Sequence, residues 1–401
     1  MAQGEVDLAG SDTARSEGDR AAIPGVVAAM HGFAGDLYGE LPADGNLVVS
    51  PYSVVAALGM TLTGAGGHTA REMRDVLGAD DRFHGGLNAL TTYVEGLAGP
   101  VPHRDGKEIA LDTANQLFGQ RGVGWEKAFL DTLAREYGAA VRTVDFEGAA
   151  EDARVLINDW VAGRTHDRIR DLIARGVLDA ATRLVLVNAI YLKAPWEKPF
   201  EPSSTRDGTF HLTDGGTTRV PMMSGSPYGA LTRGDGWQAA RIPYAGGTLA
   251  MTVVLPDEGR LADVEQEVVR GGLPQMLAGG RGTTLDLRLP RWTFRSNAQL
   301  AGILGSLGMP SAFGSDADFR PMTDEDLDLR IGEVVHQGFV AVDEHGTEAA
   351  AATAVVMETT AMPVTVPFHV DRPFLFVIHD VEHGTPLFLG RVTDPGVGAV
   401  G

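Results

Sequence analysis

Apolar residues at 27, 30, 33, 34, 37, 38 and 41 recur with helical spacing behind Pro24, so the pattern predicts an amphipathic helix over 24–41 with proline in its first turn. A short apolar strand over 46–50 follows. Residues 51–64 carry Val54, Val55, Leu58, Met60 and Leu62 with no polar face, which predicts a buried helix. His68-Thr69 reads as the cap of a short helix over 70–77. Strands are expected over 109–119 and 181–193. The latter holds the unbroken run Leu184-Val-Leu-Val-Asn188-Ala-Ile-Tyr-Leu192, which suits a strand covered on both faces. Helical spacing fills 126–137 and 150–176. From Thr209 onward, strands such as 249–255, 284–289, 374–379 and 387–392 alternate with Gly/Pro turns, interrupted by a helix over 297–307. No repeat and no Pro/Ser-rich linker divides the chain. The expectation is one large α+β domain over 22–397, with helices mostly first and antiparallel sheet mostly later. Residues 1–21, polar and Gly/Ser/Asp/Glu-rich, read as a disordered tail, and 398–401 as a short C-terminal one.

One segment resists this reading. Glu344-His-Gly346-Thr347-Glu348-Ala349-Ala350-Ala351-Ala352-Thr353-Ala-Val-Val356 joins four alanines, which favour helix, to a Thr-Ala-Val-Val end that favours strand. A segment with two available homes is a candidate switch.

Composition narrows the function. Charged residues are 21% and hydrophobic ones 44%, an ordinary globular balance. The net charge of −20 repels nucleic acid and anionic membranes, so neither is expected as a partner. No cysteine is present, which removes disulfides, thiolate metal sites and thiol nucleophiles. The start lacks the basic and apolar blocks of a signal peptide, and no apolar run reaches about 18 residues. A cytoplasmic location is the default expectation, with secretion left open if the N-terminus is processed or engineered.

Catalytic motifs fail on their context. His379-Asp-Val-Glu382-His383 fits the H-x-x-E-H metalloprotease pattern, but that chemistry needs a helix. Here a strand-like run precedes it and Gly384-Thr-Pro follows, so a hairpin turn is expected. Asp324-Glu-Asp-Leu-Asp328 lacks the glycine and the twelfth-position carboxylate of a calcium loop. Gly64-Ala-Gly-Gly67 follows a helix where a dinucleotide loop needs a strand. Neither a nucleophile elbow nor a P-loop occurs. No catalytic residue, metal or cofactor is expected.

Six segments in one order carry a resemblance. They are Asn46-Leu-Val-Val-Ser50-Pro-Tyr-Ser53-Val-Val-Ala-Ala-Leu-Gly-Met, Leu186-Val-Asn188-Ala-Ile-Tyr-Leu-Lys-Ala-Pro-Trp196-Glu-Lys-Pro-Phe200, Val335-His336, Asp343-Glu-His-Gly-Thr-Glu-Ala, Asp371-Arg-Pro-Phe374-Leu-Phe and Leu387-Phe-Leu-Gly390-Arg391-Val-Thr-Asp-Pro. Together they resemble the serpin family across roughly residues 22–397. The resemblance implies three β-sheets, about nine helices and an exposed reactive-centre loop over about 344–367. It also implies a suicide mechanism. A serine or cysteine protease attacks the loop and forms an acyl-enzyme. The cleaved loop then inserts into the large sheet and carries the protease to the far pole.

The loop has the composition that insertion demands. Alternate residues of a new central strand face the core. From Thr347 that face reads Thr347, Ala349, Ala351, Thr353 and Val355, all small or β-branched. The other face reads Glu348, Ala350, Ala352 and Ala354, so its one charge falls where it can meet solvent. No proline occurs from Glu344 to Met362. Glu344 matches the family's hinge glutamate. Counted from it, the seventeenth residue is Thr360, which puts the scissile bond at Thr360–Ala361, with Thr359–Thr360 and Met357–Glu358 as alternatives. Residues 347–360 span roughly 46 Å when extended. Threonine at that bond suits the shallow pocket of an elastase-like or subtilisin-like protease. By the same resemblance Ser50, Ser53, Asn188 and His336 form the shutter beneath the parting strands. Trp196 marks the breach where the loop enters, and Asn158 and Trp160 pack a helix over the sheet. The region 84–100 holds no Lys or Arg, so heparin activation is not expected. A monomer is expected. Two other readings stand beside this one: a non-inhibitory serpin serving as carrier or chaperone, and a metallohydrolase at His379 and His383.

Overall fold

A computed structural model describes residues 7–104, 106–348 and 365–397. The chain forms nine α-helices among those residues and two large sheets. The helices are α1 (Ile23–Glu40), α2 (Pro51–Leu62), α3 (Gly67–Leu77), α4 (Phe83–Glu95), α5 (Lys127–Tyr137), α6 (Phe146–Arg164), α7 (Leu261–Glu267), α8 (Leu273–Leu277) and α9 (Ala301–Leu307).

The first sheet runs β1 (Asp7–Ala9), β6 (Val141–Val144), β5 (Gln116–Gln120), β7 (Leu184–Pro195), β16 (Gly346–Thr347), β15 (Glu333–Val342) and β14 (Trp292–Gln299). Beside β7 also lie β4 (Glu108–Thr113) and its partner β3 (Gly99–Pro100). The second network holds β2 (Leu47–Val49), β8 (Arg206–His211), β9 (Thr217–Gly225), β10 (Tyr228–Gly234), β11 (Trp237–Pro243), β12 (Leu249–Pro256), β13 (Arg281–Pro290), β17 (Thr365–His369), β18 (Phe374–Asp380) and β19 (Pro386–Val392). What the resemblance describes as two further sheets is continuous here. β13 is long enough to pair with β10 near its start and with β9 near its end.

As the apolar pattern predicted, α2 is buried along its whole length and β7 along nearly all of its own. The main core lies around α1, α2 and the second network. A smaller cluster, including Phe118, Phe146, Ile157, Val185 and Val187, seals α6 onto the face of the first sheet. Among the described residues, no helix is long and apolar enough to cross a membrane.

Several expectations are corrected. The polar N-terminus is docked from Asp7 on rather than disordered. Asp7–Ala9 pair antiparallel with Val141–Thr143, and Arg15 donates to Asn88 Oδ1 and Thr91 Oγ1 while pairing with Glu95 at 2.8 Å. Low hydrophobicity did not prevent this, because edge pairing and ion pairs anchor a segment without a core of its own. The strand over 109–119 is two strands broken at Ala114-Asn115. The helix over 150–176 is preceded by a helical turn from Phe146, capped by the Asp145 side chain and kinked at Ala149, where φ is −149°. It ends at Arg164, because His166 and Asp167 take positive φ of 49° and 63°. Residues 297–299 are strand rather than helix, since β15 offers them ladder partners. α3 starts at Gly67, and the Thr69 hydroxyl accepts from the Asp318 amide instead of capping.

Candidate functional site: the cleft between β7 and β15

β7 and β15 are neighbours, and they run parallel. Val185–Ile190 pair with Glu333–Gly338, and beyond these residues the two strands separate. The chain leaves β15 at Val342, reverses, and returns into that gap. The reversal is local: the Asp343 carboxylate accepts from the amides of His345 and Gly346 at 2.8 and 3.2 Å. Gly346 then pairs with Pro195, and Thr347 with both Ala194 and Val342, antiparallel to each neighbour. Glycine is required at 346, because a Cβ there would stand 2.1 Å from the Ala194 carbonyl oxygen.

Aromatic and polar groups grip the entry point. The Trp196 ring stacks on Tyr244 at 4.6 Å with the planes 3° apart, and its Nε1 donates to the Asp343 carbonyl at 3.0 Å. The Trp196 amide donates to the His345 carbonyl, and the Phe200 amide to that of Glu344, each at 2.8 Å. The Thr347 and Tyr244 hydroxyls lie 2.6 Å apart, both buried. Glu344 is 2% exposed, and its carboxylate takes the Thr205 hydroxyl and the Arg291 guanidinium. Burial pushes that carboxyl up, but these bonds to its charged form outweigh burial and hold it below the usual range. Glu348 takes a φ of +48° and its amide donates to the Ala341 carbonyl at 2.8 Å. The carboxylate is largely covered and paired with Arg168, from the segment after α6, and burial raises its pKa.

About 20 Å down β7, at about 3.3 Å per residue, a second polar cluster crosses the joined part of the same two strands. Asn188 and His336 are cross-strand partners, with His336 Nδ1 on Asn188 Oδ1. The Ser50 amide donates to His336 Nε2 at 3.0 Å, which assigns the proton of the neutral ring to Nδ1. Ser50 Oγ caps α2 by accepting from the Ser53 amide, and Ser53 Oγ donates to Asn115 Oδ1 at 2.6 Å. Burial pushes His336 down to about 4, so it is neutral near pH 7. Asn188 Nδ2 is buried and has no acceptor among the described residues.

The structure therefore brings Ser50, Ser53, Asn188 and His336 into one network, and Trp196, Glu344, Gly346, Thr347 and Glu348 into another on the same pair of strands. Ala349, Ala350, Ala351, Ala352, Thr353, Thr360 and Ala361 lie outside the described residues. Asn158 packs as expected, bonding both the amide and the carbonyl of Ile173 at 2.9 Å. Sequence reasoning missed Asn115, Thr205, Tyr244, Arg291 and Arg168. Only the break between β4 and β5 hinted at Asn115.

His379 and His383 do not form a metal site. His379 sits in β18 with Nε2 on Thr252 Oγ1 and Nδ1 on the Asp380 carbonyl, and His383 lies in the following turn. No group of three metal-ligating side chains occurs among the described residues.

The comparisons converge. A family model described as serpin (serine protease inhibitor) matches residues 28–395. An uncharacterized serpin-like protein of Thermococcus kodakarensis is 37% identical, over 92% of this chain and 86% of its own. The leukocyte elastase inhibitor of Sus scrofa is 35% identical, over 90% of this chain and 97% of its own. Among solved structures, the thermophilic serpin tengpin in its native state aligns with a TM-score of 0.84 at 26% identity, covering 97% of this chain and 100% of that one. Uncleaved ovalbumin aligns at 0.79 and 25%, covering 92% and 100%.

Proposed function

The chain belongs to the serpin family, and from that premise we propose that it is a suicide inhibitor of serine endopeptidases, cleaved at Thr360–Ala361. The observation that carries this reading is the seat of Gly346 and Thr347, which are already paired as a strand between β7 and β15. That seat supports a sheet built to accept more of the same segment.

The topology also supplies a driving force. β7 and β15 form a parallel pair across six residue positions, and parallel pairing is slightly weaker per residue than antiparallel. An inserted loop strand replaces that one parallel ladder by two antiparallel ones. Small residues at Ala349, Ala351 and Thr353 would follow Thr347 into the core-facing positions, as its buried side chain does now. The Ser50–His336–Asn188 network holds the joined part of the strands until then.

The target we propose is an elastase-like or subtilisin-like protease, because Thr359, Thr360 and Ala361 offer neither a cation nor an aromatic ring to a specificity pocket. The name of the porcine relative supports the same class. Incubation with pancreatic elastase and with subtilisin yields an SDS-stable complex, and mass spectrometry of the released peptide begins at Ala361. Clean cleavage of the loop without a complex would identify a non-inhibitory member instead.

A further inference from the structure

A cavity of about 380 Å³ opens between α2, α4, the end of α5, α6 and the first sheet, and Asn115 of the polar cluster described above lines part of it. Its walls are of two kinds. Met60, Ala56 and Ala139 make an apolar side, with Leu8 exposed at the mouth. Opposite them, Arg142 from β6 and Arg164 from α6 lie over the ring of Trp160, their guanidinium carbons 5.3 and 5.7 Å from its centroid.

Among the described residues, these two cations share one indole without a carboxylate partner of their own. The protein carries a net charge of −20, and arginines such as Arg15, Arg82, Arg104 and Arg260 each pair with a carboxylate. Among the described residues, neither Arg142 nor Arg164 has an ion pair or a hydrogen bond, and the buried Nε of Arg142 meets no acceptor. Burial first, and then the charge of Arg164, lower the pKa of Arg142. The fold thus holds two like charges beside one indole, Arg164 exposed and Arg142 half-buried, and leaves the buried Nε of Arg142 with a hydrogen bond to give that a bound anion would accept. Glu95, the carboxylate in the cavity wall, is already engaged by Arg15. A further donor is unengaged: Tyr52 is 1% exposed, lines the cavity, and its hydroxyl makes no hydrogen bond among the described residues.

We propose that this cavity is a binding site for a small organic anion, a carboxylate on a flat or aliphatic apolar body. The carboxylate meets the guanidinium of Arg142, whose planar donors match its two oxygens, with Arg164 closing over it. The apolar body lies against Met60 and Ala56, and the Tyr52 hydroxyl is within the same wall. The volume falls within the range of small-molecule sites. The proposal does not rest on protease inhibition, and it requires no cofactor.

The test uses the full chain and 2-naphthoate, with the neutral isostere 2-naphthamide as control, by isothermal titration calorimetry and indole fluorescence. The expected result is one saturable site per chain for 2-naphthoate. Affinity is at least about 10-fold weaker for the amide, and also at least about 10-fold weaker for 2-naphthoate on Arg142→Gln. Arg164→Gln, at an exposed position that does not endanger folding, weakens it about 3-fold or more, and Trp160→Phe abolishes most of the fluorescence change. Urea midpoints establish that each variant is folded. Three results would overturn the proposal: no saturable binding to the folded wild type, equal affinity for acid and amide, or unchanged affinity in both arginine variants.

Discussion

The hydroxyl pair between Tyr244 and Thr347 gives the sharpest test of how the hinge is held. Both groups are buried and 2.6 Å apart, and the pair exists only while Thr347 lies between β7 and β15. Tyr244→Phe keeps the ring stacked on Trp196 but leaves the Thr347 hydroxyl buried without a partner, a cost of about 1–3 kcal/mol. Thr347→Val keeps shape and strand preference and strands the Tyr244 hydroxyl at a similar cost. That cost falls on the seated hinge alone, so it raises the constant for local opening by about 5- to 150-fold. The Glu348 amide, bonded to the Ala341 carbonyl, reports this opening by native-state hydrogen exchange. Each single variant accelerates its exchange by that factor. The double variant removes both polar groups and returns to within about 3-fold of wild type, a coupling of about 2–6 kcal/mol in magnitude. Unchanged exchange in the single variants, or a double variant as fast as the product of the two, would refute the idea that this pair fastens the hinge.

Four further outcomes follow from the same geometry. Thr347→Arg puts a charge into a buried strand position, so incubation with elastase gives cleaved protein in place of SDS-stable complex. Glu344 has a lowered carboxyl pKa, so its contribution is complete above its unfolded value of about 4.3 and is lost as pH falls through the folded value; urea midpoints between about pH 5 and 3 fall more steeply for wild type than for Glu344→Gln. His84, His336 and His379 are each pushed down to about 4 by burial, so the unfolded chain binds more protons between about pH 6.5 and 4, and stability drops across that window by up to roughly 3 kcal/mol per histidine; His336→Gln removes one of the three contributions. Trp196→Ala empties a fully buried site and costs about 3–5 kcal/mol by urea denaturation, with faster exchange at Glu348 as well.

The two polar clusters were unequally legible. Ser50, Ser53, Asn188, Trp196 and His336 sit inside contiguous motifs, so reading them required no knowledge of the fold. Their partners do not. Tyr244 closes an ordinary strand, Arg291 follows a strand-ending proline, Thr205 lies in a polar turn, and Arg168 is one arginine among many. Each was selected by long-range packing, which leaves no periodic trace. The same limit explains the misread ends of α6 and α9. Both turned on a local conformation or a ladder partner that the pattern of apolar residues does not encode.

The amino-acid sequence by itself determined the class of fold, the burial of α2 and β7, the absence of thiol chemistry, and a segment of mixed propensity from Glu344 onward. Those are properties of composition and of period along one stretch of chain. Only the tertiary structure decided that the start of that segment is already a strand, that its glutamate at 348 is covered by Arg168, that the polar N-terminus edges the first sheet, and that Arg142 and Arg164 share a cavity and one indole. These facts depend on which distant residues meet, and burial and charge acquire their energetic meaning only once those neighbours are in place.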